Sequence, residues 1–417
     1  MLQKRAGTQN QDELSPMGNR AGEGMRRLKI AIDPWVIASR FRHQGTHVYA
    51  RNLVREFRRA AAHLSDVDFC LFNSGDFSSD AELCEVGPGF SLVNSDWATR
   101  DRLWRLGGAS VAARNISADL VFSPSANIFP LVKPPMVCTI HDVTPWKMPS
   151  QSPRTIAAQR FFLRAAARRS EAIITVSERS KHDIVETCGV AAEKVSVVYN
   201  GYNRELFNTT SPDPEELKRL RERLRISRPY ALHHGVIQPR KNLKRLIRAW
   251  RLLLSRHRET ELELVIAGPA GRHHEQVFRL GEECSGDKGR VIFPGRLSDQ
   301  DLTQLLKGAS IVVIPSLYEG FCLPMVEAMA CGVPAIVSST SCFTEVSGNA
   351  LAYFDPLSLE DMAAKMESVL CDTELRGRVK EQGLKRAADF SWERCGRETL
   401  AVLLRAAGRE MMAGAPA

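Results

Sequence analysis

Short apolar runs alternate with helical periodicity along almost the whole chain. LKIAID (28–33) reads as a strand, and HVYARNLVREFRRAAAHL (47–64) places apolar residues at helical spacing. VDFCLF (67–72) is a second strand. ADLVFSPS, MVCTIHD and EAIITVS follow, each closing on a polar or turn residue. QRFFLRAAARRS (159–170) lies between the last two as a basic helix. This alternation predicts a parallel sheet wrapped by helices. VSVVYNGYN (195–203) closes the first unit on Asn and Gly, and SPDPEEL then supplies prolines and acids suited to a helix start. A domain boundary is expected near residue 205.

A second series begins there. YALHHGV is a strand, NLKRLIRAWRLLLSR a helix, LELVIAGPAG a strand ending in glycines, and RVIFPGRL another strand. SDQDLTQLLKGA is a helix opened by a capping box at Ser298 and Asp301. SIVVIPS is a strand, LPMVEAMACG a helix stopped by Gly332, and VPAIVSS a strand. The expected fold class is α/β, with two Rossmann-like domains facing a cleft. Ligands in such sheets bind beyond the carboxyl ends of the strands.

A chain of 417 residues is too long for one ordinary core and suits two domains. It is 44% hydrophobic and 25% charged, as globular proteins are. No apolar run approaches the ~18 residues of a membrane span. The first 26 residues are polar and Gly-rich, without a signal-peptide core, so an extension disordered over 1–26 is expected. Met25 offers a second possible start. Ten cysteines are scattered without a CxxC pair, which fits free thiols in a reducing cytoplasm. The net charge of +9 suits nucleic acid, a phosphorylated substrate or an anionic membrane surface. No zinc-finger or RNA-recognition pattern accompanies it, so nucleic acid ranks last and no nucleic-acid partner is expected.

The carboxyl-end rule directs attention to the residues just after each strand. After YALHH come Gly235, then Arg240-Lys241-Asn242, then a helix. A glycine, a helix start and paired cations together favour a phosphate or diphosphate over a merely solvated basic turn. After SIVVIPS comes LYEGFCLPMVEA, with Glu319 on a loop and Glu327 inside the next helix. Pro324 suits that helix's first turn, and the N–H groups of Gly320, Phe321, Cys322 and Leu323 would face the cleft. The two carboxylates are good acceptors for sugar or ribose hydroxyls. A turn cap at Glu319 and a surface ion pair at Glu327 fit the residues equally well. His141, at the end of MVCTI, would donate to a substrate hydroxyl or simply be hydrogen-bonded structure. Gly45, before the first helix, would admit a ligand or make a turn.

No metal site is expected. Asp66-Val67-Asp68 begins a strand, the wrong end of a sheet for a ligand site, and reads as a solvated turn. His233-His234 and His273-His274 are adjacent pairs that do not easily share one ion. GxSxG, P-loop and GxGxxG motifs are absent, which removes support for serine hydrolase, NTPase and dinucleotide oxidoreductase readings.

At these residues the sequence resembles the retaining GT-B glycosyltransferases of family 4. LYEGFCLPMVEA resembles that family's E-x7-E motif, and GVIQPRKNLKRLIRAW its diphosphate-binding segment. TIHDVTPW, AIITVSERSKHDI and VVYNGYN resemble first-domain landmarks, and SSTSCFTEVSGNAL the strand and loop after the motif. The similarity runs over roughly residues 27–400. It implies an acceptor domain (27–204), a nucleotide-sugar donor domain (205–390) and a C-terminal helix (391–412) crossing back to the first. By this resemblance, Glu327 holds ribose hydroxyls and Glu319 those of the donor sugar. Phe321 to Leu323 face the sugar, and Arg240 and Lys241 hold the diphosphate. Gly45 lies near the phosphates and His141 near the transferred sugar, while Arg296 and Leu297 flank the base.

Two departures stand out. Cys322 occupies a position where many relatives have glycine, and HQGTHVY lacks a second glycine common in relatives. TIHDVTPW, QPRKN and LYEGF together look most like mannosyl- or rhamnosyl-transferring enzymes of polysaccharide assembly. The expected donor is GDP-mannose, without a cofactor, and the acceptor a saccharide or lipid-linked saccharide. UDP- or ADP-glucose transfer, or a catalytically silent sugar-binding subunit, are the alternatives. The helix at 159–170 would suit peripheral docking at the inner face of the plasma membrane, but is expected instead to pack its apolar face inside the first domain and solvate its arginines.

Overall fold

A computed structural model describes residues 26–37, 45–73, 83, 85–95, 103–126, 133–256 and 261–409. Residues 1–25 of the expected disordered extension lie outside them, as do residues 410–412.

Two parallel sheets organise the chain. The first holds β1 (Leu28–Ile32), β2 (Val67–Asn73), β3 (Phe90–Asn94), β4 (Leu120–Ser123), β5 (Met136–Thr139), β6 (Ala172–Thr175) and β7 (Val195–Val197). Their spatial order is β3-β2-β1-β4-β5-β6-β7. The second holds β8 (Tyr230–His234), β9 (Glu263–Ala267), β10 (Val291–Gly295), β11 (Ile311–Ile314), β12 (Ala335–Ser338) and β13 (Ala352–Phe354), in the order β10-β9-β8-β11-β12-β13. This is the two-sheet GT-B architecture. Every residue of β4, β8, β9 and β11 is buried, because helices cover both faces of each sheet. Strand order reverses between β1 and β4, and again between β8 and β11. Both reversals open crevices at carboxyl ends. At the first, Asp33 follows β1 and accepts hydrogen bonds from Ser123 (2.8 Å) and the Trp104 indole (2.9 Å), which ties β1 to β4.

Helix Gly45–Ala61 buries Tyr49, Leu53, Val54 and Phe57 on one face, and Phe57 stacks on Phe69 of β2 at 5.0 Å. The last described helix, Trp392–Ala406, follows the whole second sheet yet packs on Gly45–Ala61. Its Ser391 cap accepts from the Arg394 N–H, and Trp392, Cys395, Thr399 and Leu403 are buried. A Cβ at Gly396 would stand 2.5 Å from the Glu56 side chain, so the glycine lets Glu56 rest directly against the backbone of the crossing helix. This is the expected crossing back.

The basic helix meets the expectation in part: Ala166, Ala167 and Leu163 pack on the first domain's core and most arginines are exposed, but Phe161 is not on the packed face. It starts at Pro153, capped by the Ser152 hydroxyl, and runs to Arg169. Only Ala166 and Ala167 are buried. Phe161 is 65% exposed, so its ring does not pack inside the domain. The reason is angular: five residues separate Phe161 from Ala166, about 140° around the helix axis. The two alanines lie against the sheet, and Phe161 turns outward. No helix among the described residues is long and apolar enough to cross a membrane. The nine cysteines among them are all free.

The crossing also constrains the exit from the first sheet. A Cβ at Gly201 would lie 2.0 Å from the Trp392 backbone nitrogen. Backbone cannot yield as a flexible side chain does. Gly201→Ala should therefore destabilise the protein by about 1–3 kcal/mol. Thermal melting would show this as a clear drop, and an unchanged midpoint would contradict the close approach.

Candidate active site

The site grows from two loops at the β8/β11 reversal. β8 ends at His234, and Gly235 follows at φ 137°, a conformation that favours glycine. A Cβ at Gly268 would fall 2.0 Å from the Gly235 carbonyl, so the turns after β8 and β9 pack backbone on backbone. Pro239–Lys241 form one 3-10 turn, and left-handed Asn242 then launches helix Leu243–Arg256. The Asn242 amide is anchored to the Pro356 carbonyl at 2.7 Å. The loop after β11 is stitched onto this turn: Leu317 N–H donates to the Arg240 carbonyl (2.8 Å), and Arg240 Nη1 donates to the Tyr318 carbonyl (3.0 Å).

This stitching brings Glu319 onto both cations. Lys241 Nζ lies 2.6 Å from Glu319 Oε1, and Arg240 Nη1 pairs with Oε2. Glu319 and Lys241 are both buried. Burial alone would raise the Glu319 carboxyl, but Arg240 and Lys241 outweigh it and hold it at about 2. Burial likewise disfavours the Arg240 charge, and Glu319 and Asp142 outweigh that, keeping the guanidinium protonated. Ser341 fixes the loop, accepting from Glu319 N–H (3.0 Å) and donating to its carbonyl (2.7 Å). Lys241 lies over Gly235, whose added Cβ would be 3.4 Å from Nζ.

Glu327 occupies a different environment. It sits in helix Leu323–Ala330, whose first turn contains Pro324. Burial, and then Asp299, push its carboxyl up to about 8. His234 Nε2 is 3.8 Å from Glu327 Oε2. Burial and then the Lys241 charge lower His234 to about 4, so a neutral imidazole faces a carboxyl poised near neutrality. Cys322, just before this helix, has φ 69°. The left-handed backbone explains why glycine suits that position. The Cys322 side chain is buried there, and burial, then Glu319, push its thiol up to about 12.

The first sheet supplies the opposite wall. His141 follows β5, and a Cβ at Gly320 would lie 2.3 Å from the His141 carbonyl, so only a glycine permits this contact between sheets. Ser177 donates to the Gly320 carbonyl (2.6 Å), and Tyr318 donates to buried Asp183 (3.0 Å). The His141 ring meets the edge of Tyr49 at 4.7 Å, and its Nε2 reaches the Pro124 carbonyl at 3.0 Å. Burial lowers its pKa, leaving it neutral near pH 7. Further out, Glu345 accepts from the N–H groups of Glu178 (2.6 Å) and Arg179 (2.9 Å) and from the Tyr199 hydroxyl (3.0 Å). A carboxylate from one half thus caps the N-terminus of helix Glu178–Cys188 in the other.

Arg240, Lys241, Glu319, Gly235, Gly320 and His141 therefore meet in one place, with Phe321, Cys322 and Leu323 running from it to Glu327. Gly45 begins its helix, with open space where its Cβ would be. Exposed Arg296 and half-buried Leu297 follow β10, two strands from β8. Asp66 and Asp68 lie at the amino end of β2, where Asp68 pairs with Arg27 at 3.2 Å and Asp66 with Arg409 at 3.6 Å. His233 bonds the Val313 carbonyl and His274 that of Gly271, so neither pair converges on one point. Sequence reasoning weighed His234 only as a metal ligand and passed over Tyr318, Ser341 and Glu345. Tyr318 and Glu345 stand within the segments LYEGF and FTEVSG, but their partners lie over a hundred residues away.

The description Glycosyltransferase Family 4 matches residues 43–206, and Glycosyl transferases group 1 matches residues 215–386. The serotype-specific mannosyltransferase WbdA of Escherichia coli is 28% identical over 258 residues, 61% of this chain and 32% of that protein. The chain thus spans about a third of that relative's length. O-antigen chain mannosyltransferase B of Escherichia coli is 29% identical over 266 residues, 63% of this chain and 68% of that protein. Among solved structures, Anabaena HepE in complex with UDP and glucose superposes with a TM-score of 0.66 at 18% identity, covering 90% of this chain and 99% of that one. Sucrose-phosphate synthase from Thermosynechococcus elongatus gives a TM-score of 0.67 at 19% identity, covering 90% and 98%. At those identities the likeness is one of fold.

The Glu345 cap makes a direct test of the contact between the halves. Glu345→Ala removes charge-assisted bonds worth roughly 1.5–3 kcal/mol each. Small-angle scattering should report a larger radius of gyration for the variant. Identical scattering curves would show that Glu345 does not hold the halves together.

Proposed function

We propose that this chain, which belongs to the family 4, group 1 glycosyltransferases, transfers a hexose from a nucleotide-sugar donor with retention of configuration and without a metal ion. The donor we assign is GDP-mannose, and the acceptor a saccharide or lipid-linked saccharide in cell-surface polysaccharide assembly. Residues 27–204 with 391–412 form the acceptor domain, and residues 205–390 the donor domain. The observation that carries this reading is the buried Glu319 carboxylate held between Arg240 and Lys241, one residue from the Gly320–His141 contact. The mannosyltransferase relatives support the choice of sugar.

Breaking the bond between the sugar's anomeric carbon and the diphosphate leaves charge on the departing phosphate. Arg240 and Lys241 stabilise that charge in a water-poor cleft. Two fixed cations supply what a divalent ion would otherwise provide. The acceptor hydroxyl attacks from the face the phosphate leaves, and its proton passes to a leaving phosphate oxygen. No paired catalytic carboxylates of the glycosidase kind are then needed. Glu319 exchanges part of its hold on the cations for hydroxyls of the donor sugar, and neutral His141 contacts the sugar from the other wall. Glu327 takes the ribose hydroxyls, Gly45 borders the phosphates, and Arg296 with Leu297 flanks the base.

Three measurements test this. A donor panel of GDP-, UDP-, ADP- and dTDP-sugars should show turnover, fastest with GDP-mannose and unaffected by EDTA. No turnover and no nucleotide binding with any of them would remove the transferase reading. Arg240→Ala with Lys241→Ala should lower turnover roughly a thousandfold. An unchanged circular-dichroism spectrum and melting temperature of the double variant show that the loss does not stem from misfolding. Undiminished activity would refute the diphosphate role.

The third is pH dependence. The free Glu327 carboxyl is raised to about 8, so it is protonated below that pH. Accepting ribose hydroxyl bonds favours the ionised form and lowers its pKa in the complex. GDP binding at pH 7 should therefore release a proton, and affinity should rise toward pH 8 and then level. Calorimetry in buffers of different ionisation enthalpy reads the proton directly. Proton uptake, or the same behaviour in Glu327→Gln, would contradict the assignment.

A further inference from the structure

The loop after β12 holds Glu319 through a residue whose own backbone is unfavourable. Ser341 has φ 60°, in the left-handed region that only glycine enters freely. Of the six left-handed residues other than glycine among those described, three adjoin the Glu319 ion cluster: Asn242, Cys322 and Ser341. Ser341 alone of these three bonds Glu319 directly. Its hydroxyl accepts from the Glu319 N–H (3.0 Å) and donates to the Glu319 carbonyl (2.7 Å). One hydroxyl thus fixes the peptide groups on both sides of a single Cα, and with them the direction in which the Glu319 side chain leaves the backbone. The neighbouring Thr340 hydroxyl donates to the Leu317 carbonyl at 3.3 Å, while the Leu317 N–H donates to the Arg240 carbonyl at 2.8 Å. The segment Leu317–Glu319 is therefore held by the turn after β8 on one side and by the loop after β12 on the other. The backbone at 341 would be relaxed by glycine, but the bonds to Glu319 require a hydroxyl.

We propose that Ser341 is a positioning residue for the transfer reaction: its hydroxyl aims the Glu319 carboxylate, and the left-handed strain at 341 is kept for that purpose. The inference runs from an observed backbone outlier to a role, because strained residues persist where the surrounding structure needs them. It rests on the transfer reading, in which Glu319 exchanges part of its hold on Arg240 and Lys241 for hydroxyls of the donor sugar. That exchange is productive only if the Glu319 backbone stays where it is while the carboxylate turns. A displacement of about 1 Å is enough to cost a reaction roughly a hundredfold. Ser341 touches neither donor nor acceptor in this account and acts only through Glu319.

Two variants of the full chain separate positioning from folding. Ser341→Ala loses the bonds to Glu319 and keeps the strain. Ser341→Gly loses the same bonds and relieves the strain, but leaves the unfolded chain more flexible. Ser341→Gly should therefore melt close to the wild type and above Ser341→Ala. Turnover should instead fall in both, roughly tenfold to a hundredfold and mainly in kcat, with the panel donor that the wild type uses fastest. Activity that follows stability, with Ser341→Gly near the wild type, would overturn the proposal, because a merely structural serine behaves in that way. Hydrogen exchange read by mass spectrometry needs no donor. The Glu319 amide should exchange faster in both variants, and unchanged protection over Leu317–Gly320 would also overturn the proposal. A wild type that turns over no donor would instead remove the transfer reading, and the exchange result would still decide whether Ser341 holds Glu319.

Discussion

A carboxylate buried without compensation would not stay ionised, and Glu319 is ionised because two cations reach it at once. That requirement organises the centre of the molecule. Arg240 and Lys241 must come from the turn after β8, and Glu319 from the loop after β11, so the two loops must be locked together. The backbone bond from Leu317 to Arg240, the Arg240 bond to the Tyr318 carbonyl and the Asn242 anchor achieve this locking. The crevice at the reversal of strand order is the one place in the second sheet where adjacent strands send their following loops in opposite directions. The ion cluster fills it with charge that an anionic ligand can borrow.

The second constraint is the contact between the halves. Gly320 sits so near the His141 carbonyl that the chain has no room for a side chain there. Ser177, Tyr318, Asp183 and Glu345 surround this point with hydrogen bonds that cross from one sheet to the other. A residue adjacent to Glu319 is therefore part of the contact between the halves. Glu319 stands one peptide unit from this contact with the His141 wall.

Much of the fold was legible in the sequence. Strands buried on both faces read as continuous apolar runs, and β4, β8, β9 and β11 are of this kind. Ser298 opens its helix as its capping box indicates, accepting from the Asp301 N–H. The meeting of Arg240, Lys241 and Glu319 was less legible. Spacing within LYEGFCLPMVEA cannot tell which carboxylate meets cations and which stands half-buried near a histidine, because the deciding partners lie some 80 to 90 residues earlier in the chain. The outward turn of Phe161 was missed for a related reason. Periodicity defines the faces of a helix, but the sheet beneath decides which face it accepts, and here it accepted Ala166 and Ala167. At Cys322 the departure from glycine was visible, but only the backbone angle shows what glycine would relieve.

If the cations held by Glu319 receive the donor's diphosphate, a crystal structure of the protein with GDP-mannose will show it most directly. Diphosphate oxygens are expected within hydrogen-bond distance of both Arg240 and Lys241, with Glu319 turned toward the sugar and Glu327 on the ribose. A diphosphate bound elsewhere, with Arg240 and Lys241 still closed on Glu319, would contradict that role.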